Sequence, residues 1–142
     1  MEPRLATLPE RTVAVVEHRG SPESVDRTRR PLYRHMVLNE LVGGPSILRW
    51  LDRPGPGRVV DALVTTHAGF EGDDVCRVET LPAGRYALLD YEGPPEEVPD
   101  ARDRLLDWLG ERRLRPTGPL LQVHLMDPVE GILEAQLQVP LL

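Results

Sequence analysis

The sequence predicts an α+β domain made of two tandem copies of one strand-strand-helix-hairpin unit, with antiparallel strands and one main helix per copy. An ordered internal repeat, strand-like apolar segments at matching positions in each copy, and one amphipathic stripe per copy at helical spacing carry this expectation. The shift that carries Gly20 onto Gly93 also carries Arg4-Leu5-Ala6-Thr7-Leu8-Pro9 onto Arg77-Val78-Glu79-Thr80-Leu81-Pro82. It brings Val13-Ala14-Val15-Val16-Glu17-His18 onto Tyr86-Ala87-Leu88-Leu89-Asp90-Tyr91, and Arg29, Leu32 and Met36 onto Arg102, Leu105 and Leu109. One further residue of shift brings Gly44-Pro45 onto Gly118-Pro119. Blocks in the same order at one period mark duplicated architecture. A single domain over residues 1–142 is expected, with repeat 1 at about 3–67 and repeat 2 at about 75–141.

Each copy opens with a strand that ends at a Leu-Pro corner, where proline removes a ladder donor. A second strand follows, Thr12 to His18 and then Arg85 to Tyr91, rich in β-branched, aromatic and aliphatic residues. Gly20 and Gly93 end these strands. Ser21-Pro22-Glu23 and Pro94-Pro95-Glu96-Glu97 then supply proline and acids suited to a helix start. In the second helix Val98, Ala101, Leu105, Trp108 and Leu109 form one apolar stripe. The first repeats this with Val25, Thr28, Leu32 and Met36, and Pro31 is expected to kink it or delay its start. Two hairpins close the copies. One joins Ile47–Leu51 to Val59–Thr66 through Arg53-Pro54-Gly55-Pro56-Gly57, the other Leu120–Met126 to Ile132–Val139 through Asp127-Pro128-Val129-Glu130-Gly131. One copy alone buries little apolar area, so the two are expected to share a core, with a ligand cleft between the repeats.

Composition narrows the function. Hydrophobic residues make up 40% of the 142, enough for a core, and no apolar run approaches a membrane span. The start of the chain lacks a basic segment leading into an apolar one, so no signal peptide is expected. Cys76 is the single cysteine, which fits a reducing, cytoplasmic setting. The formal charge of -6 argues against direct nucleic-acid binding, which relies on clustered Lys and Arg. The four histidines show no short metal-ligand spacing and Cys76 has no thiol partner, so neither a metal nor a cofactor such as haem is expected. His18, His35 and His67 read as surface or strand-end residues.

The string Thr80-Leu81-Pro82-Ala83-Gly84-Arg85-Tyr86-Ala87-Leu88, then Tyr91-Glu92-Gly93-Pro94 and Leu106-Asp107-Trp108-Leu109, resembles the GyrI-like (gyrase-inhibitor-like) effector-binding family. Gln122-Val123-His124-Leu125-Met126-Asp127-Pro128 and Val139-Pro140-Leu141 fit its closing hairpin. The resemblance implies paired modules with pseudo-two-fold symmetry and a cleft for drug-like, often aromatic or cationic compounds. It also implies a stand-alone member, one that sequesters or senses a toxic compound. Family branches supply two alternatives: a hydrolase that opens a cyclopropane ring in DNA-alkylating natural products, and a protein that interacts with DNA gyrase. Where the family has a Glu two residues before a Tyr, this sequence has Gln122 and His124. A neutral amide is no general base, and this weighs against both cation preference and hydrolysis.

Strand alternation assigns faces. Leu121, Val123 and Leu125, with Leu133, Ala135, Leu137 and Val139, are expected to face the helix. Gln122, His124 and Glu134 then face the cleft, joined by Leu48 and Trp50 at the equivalent positions of the first copy. This register puts Arg49 on the helix side, at an edge where it snorkels. Pairing Met126 with Ile132 sets His124 opposite Glu134 and Gln122 opposite Gln136, so that Glu134 acts through His124. The ligand-binding candidates are Leu48, Trp50, Gln122, His124, Glu134, Trp108 and Tyr91, with Trp108 also read as packing under the sheet. A hydrolase would have to use His124 and Glu134.

Overall fold

A computed structural model describes residues 2–51 and 60–142. In chain order the elements are β1 (Arg4–Leu8), β2 (Arg11–Glu17), α1 (Asp26–Leu38), β3 (Val42–Trp50), β4 (Val60–Thr66), β5 (Arg77–Leu81), β6 (Gly84–Gly93), α2 (Val98–Glu111), β7 (Leu120–Val129) and β8 (Ile132–Pro140). Single 3-10 turns at Pro22–Ser24 and Pro95–Glu97 lead into the helices. The strands named here pair antiparallel with their neighbours, consistent with an α+β fold. The turn expected at Arg53 to Gly57 lies outside the described residues.

The chain divides into two compact units, Pro9–Ala83 and Met1–Leu8 with Gly84–Leu142. These differ from the sequence repeats, because β1 pairs with β6 (Leu5 opposite Ala87) and β5 pairs with β2 (Arg11 opposite Leu81). The first strand of each repeat thus joins a sheet built from the other repeat's residues.

In the unit Pro9–Ala83 the strand order is β3-β4-β2-β5. Arg29, Leu32 and Met36 form the buried stripe of α1. Leu32 and Met36 pack on Ala14, Ala62, Val64 and Cys76, with Val16 and Phe70 at the margin. The helix begins at Asp26 and continues through Pro31 to Leu38, so the proline does not delay it. The opposite strand face carries Val13, Val15, Ile47 and Leu63, all fully buried. Both faces of this sheet are therefore removed from water.

In the other unit the order is β1-β6-β8-β7. Val98, Ala101, Leu105 and Leu109 form the buried stripe of α2, as the periodicity predicts. Fully burying each such leucine is worth about 1.5–3 kcal/mol. Register sets Tyr91, Leu89 and Ala87 of β6 opposite Ala135, Leu137 and Val139 of β8. Leu89 lies beside Arg104 and Trp108 of α2, so these residues form the helix-bearing face. Leu88, Leu121 and Val123 lie on the other face, also buried.

Candidate functional site

The register of β7 departs from the sequence expectation and moves every candidate on it. Gln122 stands opposite Leu137 and His124 opposite Ala135, while Glu134 stands opposite Met126 and Glu92. The ladder shifts between His124 and Met126 and again between Met126 and Val129. A one-residue slip sends each side chain to the other face. Gln122 and His124 therefore lie on the helix-bearing face. Leu121 and Val123, expected toward the helix, lie on the opposite face, and the expected pairing of His124 with Glu134 is replaced by one with Ala135. The Gln122 amide N–H donates to Nε2 of His124 at 3.0 Å, which puts the ring proton on Nδ1.

The same correction applies to β3. Leu48 stands opposite Ala62 and Trp50 opposite Val60. Leu48 packs with Val25 and Val60, and Trp50 lies against this cluster on the side of α1. Tyr91 is buried, and its hydroxyl donates to the Pro94 carbonyl. That bond fixes the approach to α2. Trp108 is half-buried under the Arg112 guanidinium, 4.0 Å from the ring centroid. It lines a recess of about 450 Å³ with Pro3, Leu89 and Arg104. The structure thus brings Gln122 to His124 and Leu48 to Trp50, and leaves Trp108, Tyr91 and Glu134 in separate surroundings. His18, read from sequence as a surface or strand-end residue, is buried at the end of β2. Its Nε2 donates to the Ser21 carbonyl at 2.9 Å, and its Nδ1 pairs with the Thr28 hydroxyl at 2.8 Å.

Arg49 lies on the face away from α1 and organises a charge network there. Its Nη2 and Nε donate to Asp61 Oδ2 at 2.7 and 3.2 Å, a cross-strand pair from β3 to β4. Its Nη1 donates to Glu79 Oε2 on β5. Arg77 continues the chain of contacts, 3.0 Å to Glu79 and 3.5 Å to Glu17. Side-chain exposure rises along it, from 3% at Asp61 and 13% at Arg49 to 31% at Glu79 and 47% at Arg77. Burial works against the Arg49 charge, but the hydrogen bonds to Glu79 and Asp61 outweigh it and hold the guanidinium above its ordinary range. The Arg49 hydrogen bond pulls Glu79 below the ordinary carboxylate range, against its own burial.

Beside the outer end of the network is an open recess of about 810 Å³. Its walls include Val15, Val16 and Val78 as apolar surface, and Glu17, Glu71, Asp73 and Asp74 as carboxylates, with Arg77 between them. Sequence reading missed this constellation. Its signal is a charged residue flanked by apolar ones in two strands, Arg49 between Leu48 and Trp50 and Asp61 between Val60 and Ala62, with Glu79 following Val78 in a third.

The family model of the GyrI-like small molecule binding domain matches residues 1–142. The chain belongs to the GyrI-like family. No curated protein matches it. Several solved structures share the fold. EcmrR in its DNA complex aligns with TM-score 0.81 at 13% identity, covering 99% of this chain and 57% of that one. A hydrolase from Listeria innocua aligns with TM-score 0.69 at 13% identity, over 99% and 92% of the two chains. SAV2435 bound to tetraphenylphosphonium aligns with TM-score 0.68 at 12% identity, over 100% and 94%. The GyrI-like chain thus spans little more than half of the EcmrR chain. Among the described residues no helix is long and apolar enough to cross a membrane.

Proposed function

We propose that this GyrI-like chain binds an amphipathic aromatic small molecule carrying a cationic group, and that the recess beside β2 and β5 receives it. The carrying observation is the network that runs from Asp61 and Arg49 through Glu79 to Arg77 at the recess, a chain of charges in an otherwise apolar strand face. Charge networks in such places are weak contributors to stability, and well-packed apolar residues often serve as well or better. A ligand-facing role accounts for the arrangement. Val16 and Val78 supply apolar contact, and Arg77, which lines the recess, is the exposed, displaceable partner whose departure opens Glu79 behind it to the cation. SAV2435, of the same fold, is seen with tetraphenylphosphonium, a cation with four aromatic rings.

The duplicated module, repeats at about 3–67 and 75–141, belongs to this reading, supported by an element order that occurs twice along the chain. Sequestration or sensing of a toxic compound is the role in keeping with it. Leu48, Trp50, Gln122 and His124 then act behind the strands, setting their packing. The hydrolase alternative loses its expected acid-base pair, since His124 stands opposite Ala135.

Titration calorimetry with tetraphenylphosphonium, and with neutral triphenylphosphine oxide as control, tests the proposal. The cation is expected to bind and the neutral analogue to bind at least tenfold more weakly. Glu79→Gln weakens the cation by about tenfold, equivalent to about 1.4 kcal/mol, and Arg77→Ala tightens it. Equal affinity for the two compounds, or no effect of Glu79→Gln, refutes the reading.

A further inference from the structure

A second cluster sits at the rim of the recess, and two of its members, Asp73 and Cys76, also line it. His35, on the last turns of α1, reaches the loop before β5. Its Nε2 is 2.8 Å from Asp73 Oδ2. Asp73 Oδ1 is occupied separately, accepting from the backbone N–H groups of Val75 at 2.9 Å and Cys76 at 3.1 Å. The Cys76 thiol lies 3.6 Å from that same oxygen. One donor atom from each of His35, Asp73 and Cys76 falls within 4.8 Å of the other two.

The loop is held in this shape by its own backbone. The Asp73 N–H donates to the Cys76 carbonyl at 3.0 Å. Gly72 has φ +97, and a Cβ there would stand 3.1 Å from that carbonyl oxygen. The carboxylate is thus aimed by two backbone donors, much as outer-sphere hydrogen bonds orient a metal ligand. Cys76 is buried against Leu32 and Met36, which fixes the sulfur from behind.

We propose that His35, Asp73 and Cys76 form a zinc-binding site, with a further coordination position open to the recess lined by Glu71 and Asp74. One imidazole, one carboxylate and one thiolate make a mixed donor set that suits Zn²⁺, whereas Mg²⁺ and Ca²⁺ take oxygen ligands. Zinc bonds of about 2.0–2.3 Å in a tetrahedron set donors about 3.3–3.6 Å apart. The His35–Asp73 separation needs to open by about half an ångström to meet this, as the metal takes the place of the shared proton. On binding, the thiol proton leaves to solvent, the proton that His35 Nε2 shares with Asp73 moves to Nδ1 of the same ring by exchange with solvent, and no electron is transferred. Three protein ligands with one open position are the pattern of a zinc ion that can also hold a water or a ligand group.

The test is a cobalt titration of the chelator-treated full chain. A near-ultraviolet thiolate-to-cobalt charge-transfer band is expected to saturate at one equivalent and to be displaced by zinc. Cys76→Ser abolishes the band, and His35→Ala and Asp73→Asn each weaken cobalt binding at least tenfold, with circular dichroism confirming that the variants fold. His35 and Asp73 are partly exposed, so their substitution keeps the test informative if the buried Cys76→Ser does not fold. Absence of the band overturns the proposal. A band that His35→Ala and Asp73→Asn leave unchanged reports the thiol alone and overturns it equally. The two readings share Asp73 and Cys76 at the recess but are tested separately: phosphonium affinity in metal-free protein tests the ligand reading, and the cobalt band tests this one.

Discussion

Replacing Arg49 by Met removes the guanidinium that bonds Asp61 at the buried end of the charge network and keeps most of the side chain's length. Asp61, with a side chain only 3% exposed, loses contacts of 2.7 and 3.2 Å. Glu79 loses one partner and keeps Arg77 at 3.0 Å, so the cost falls mainly on Asp61. At an effective dielectric near 20, a pair at about 4 Å is worth about 4 kcal/mol. Experience with broken buried pairs gives a similar range of about 3–5 kcal/mol. The expected destabilisation is therefore about 4 kcal/mol, a fall in Tm of roughly 10 °C.

Urea denaturation at neutral pH measures it, with the m-value as a check that the unfolded state is unchanged. The double variant Arg49→Met/Asp61→Asn supplies the control, since an amide in place of the carboxylate no longer buries a charge. It is expected to be more stable than Arg49→Met alone by about 2 kcal/mol, and Asp61→Asn alone completes the cycle from which the coupling is read. If Arg49→Met lies within about 1 kcal/mol of the parent, the network is no more than a surface ion pair, and the reasoning that gives it a functional role fails.

The network also sets an acid limb. Glu79 is held below its ordinary value of 4.5 by Arg49 first and then, against burial, by Arg77. Folding therefore favours the carboxylate, and the stability it confers is complete above pH 4.5 and is lost as pH falls through the depressed folded value. Urea midpoints at pH 7, 4 and 3 are expected to fall more steeply in the parent than in Glu79→Gln; parallel curves contradict this. Two glycines test the packing. A Cβ on Gly43 would stand 2.9 Å from the Thr66 backbone carbon, so Gly43→Ala is expected to cost about 1–3 kcal/mol. Gly110 in α2 meets nothing within 4 Å, so Gly110→Ala is expected to stabilise by about 0.5–1 kcal/mol. Thermal melts distinguish the two directions, and a destabilised Gly110→Ala refutes the second.

Much of the local structure was legible. The stripe Val98, Ala101, Leu105 and Leu109 appears in α2 as the helical period requires. The strands before Gly20 and Gly93 appear as the β-branched and aromatic runs indicate. Pairing across long separations was not legible: nothing local in Arg4–Leu8 says that its partner is β6. Face assignment failed for a more specific reason. Alternation names the core face only when the other face meets water. Here Ile47 and Leu63 are buried on one side and Leu48 and Ala62 on the other, so apolar character marks neither. Arg49 was the clue, because a charged side chain assigned to the helix side conflicts with the register that put it there. The bulges in β7 then moved Gln122 and His124 by one residue. The zinc donors escaped notice because His35 lies far along the chain from Asp73 and Cys76, and only the fold joins them.

The two faces of the unit Pro9–Ala83 treat buried polarity differently, and the difference supports the ligand reading. On the helix side His18 is enclosed by partners from the ten residues that follow it, Ser21, Ser24 and Thr28. Such a closed arrangement locks a strand end to a helix start and has no remaining demand on solvent or ligand. On the opposite side the polar groups are charged, come from three strands, and do not close. Asp61 is sealed, Arg49 nearly so, Glu79 reaches a third of the way out, and Arg77 is half in water. If stability alone governed this face, the charges would be expected at its exposed end, where hydration is least disturbed. Their extension inward ties the partly exposed Glu79 to the buried Asp61 through the Arg49 guanidinium. An incoming cation then need displace only Arg77, the most exposed member, while the Arg49–Asp61 anchor stays intact and keeps Glu79 ionised.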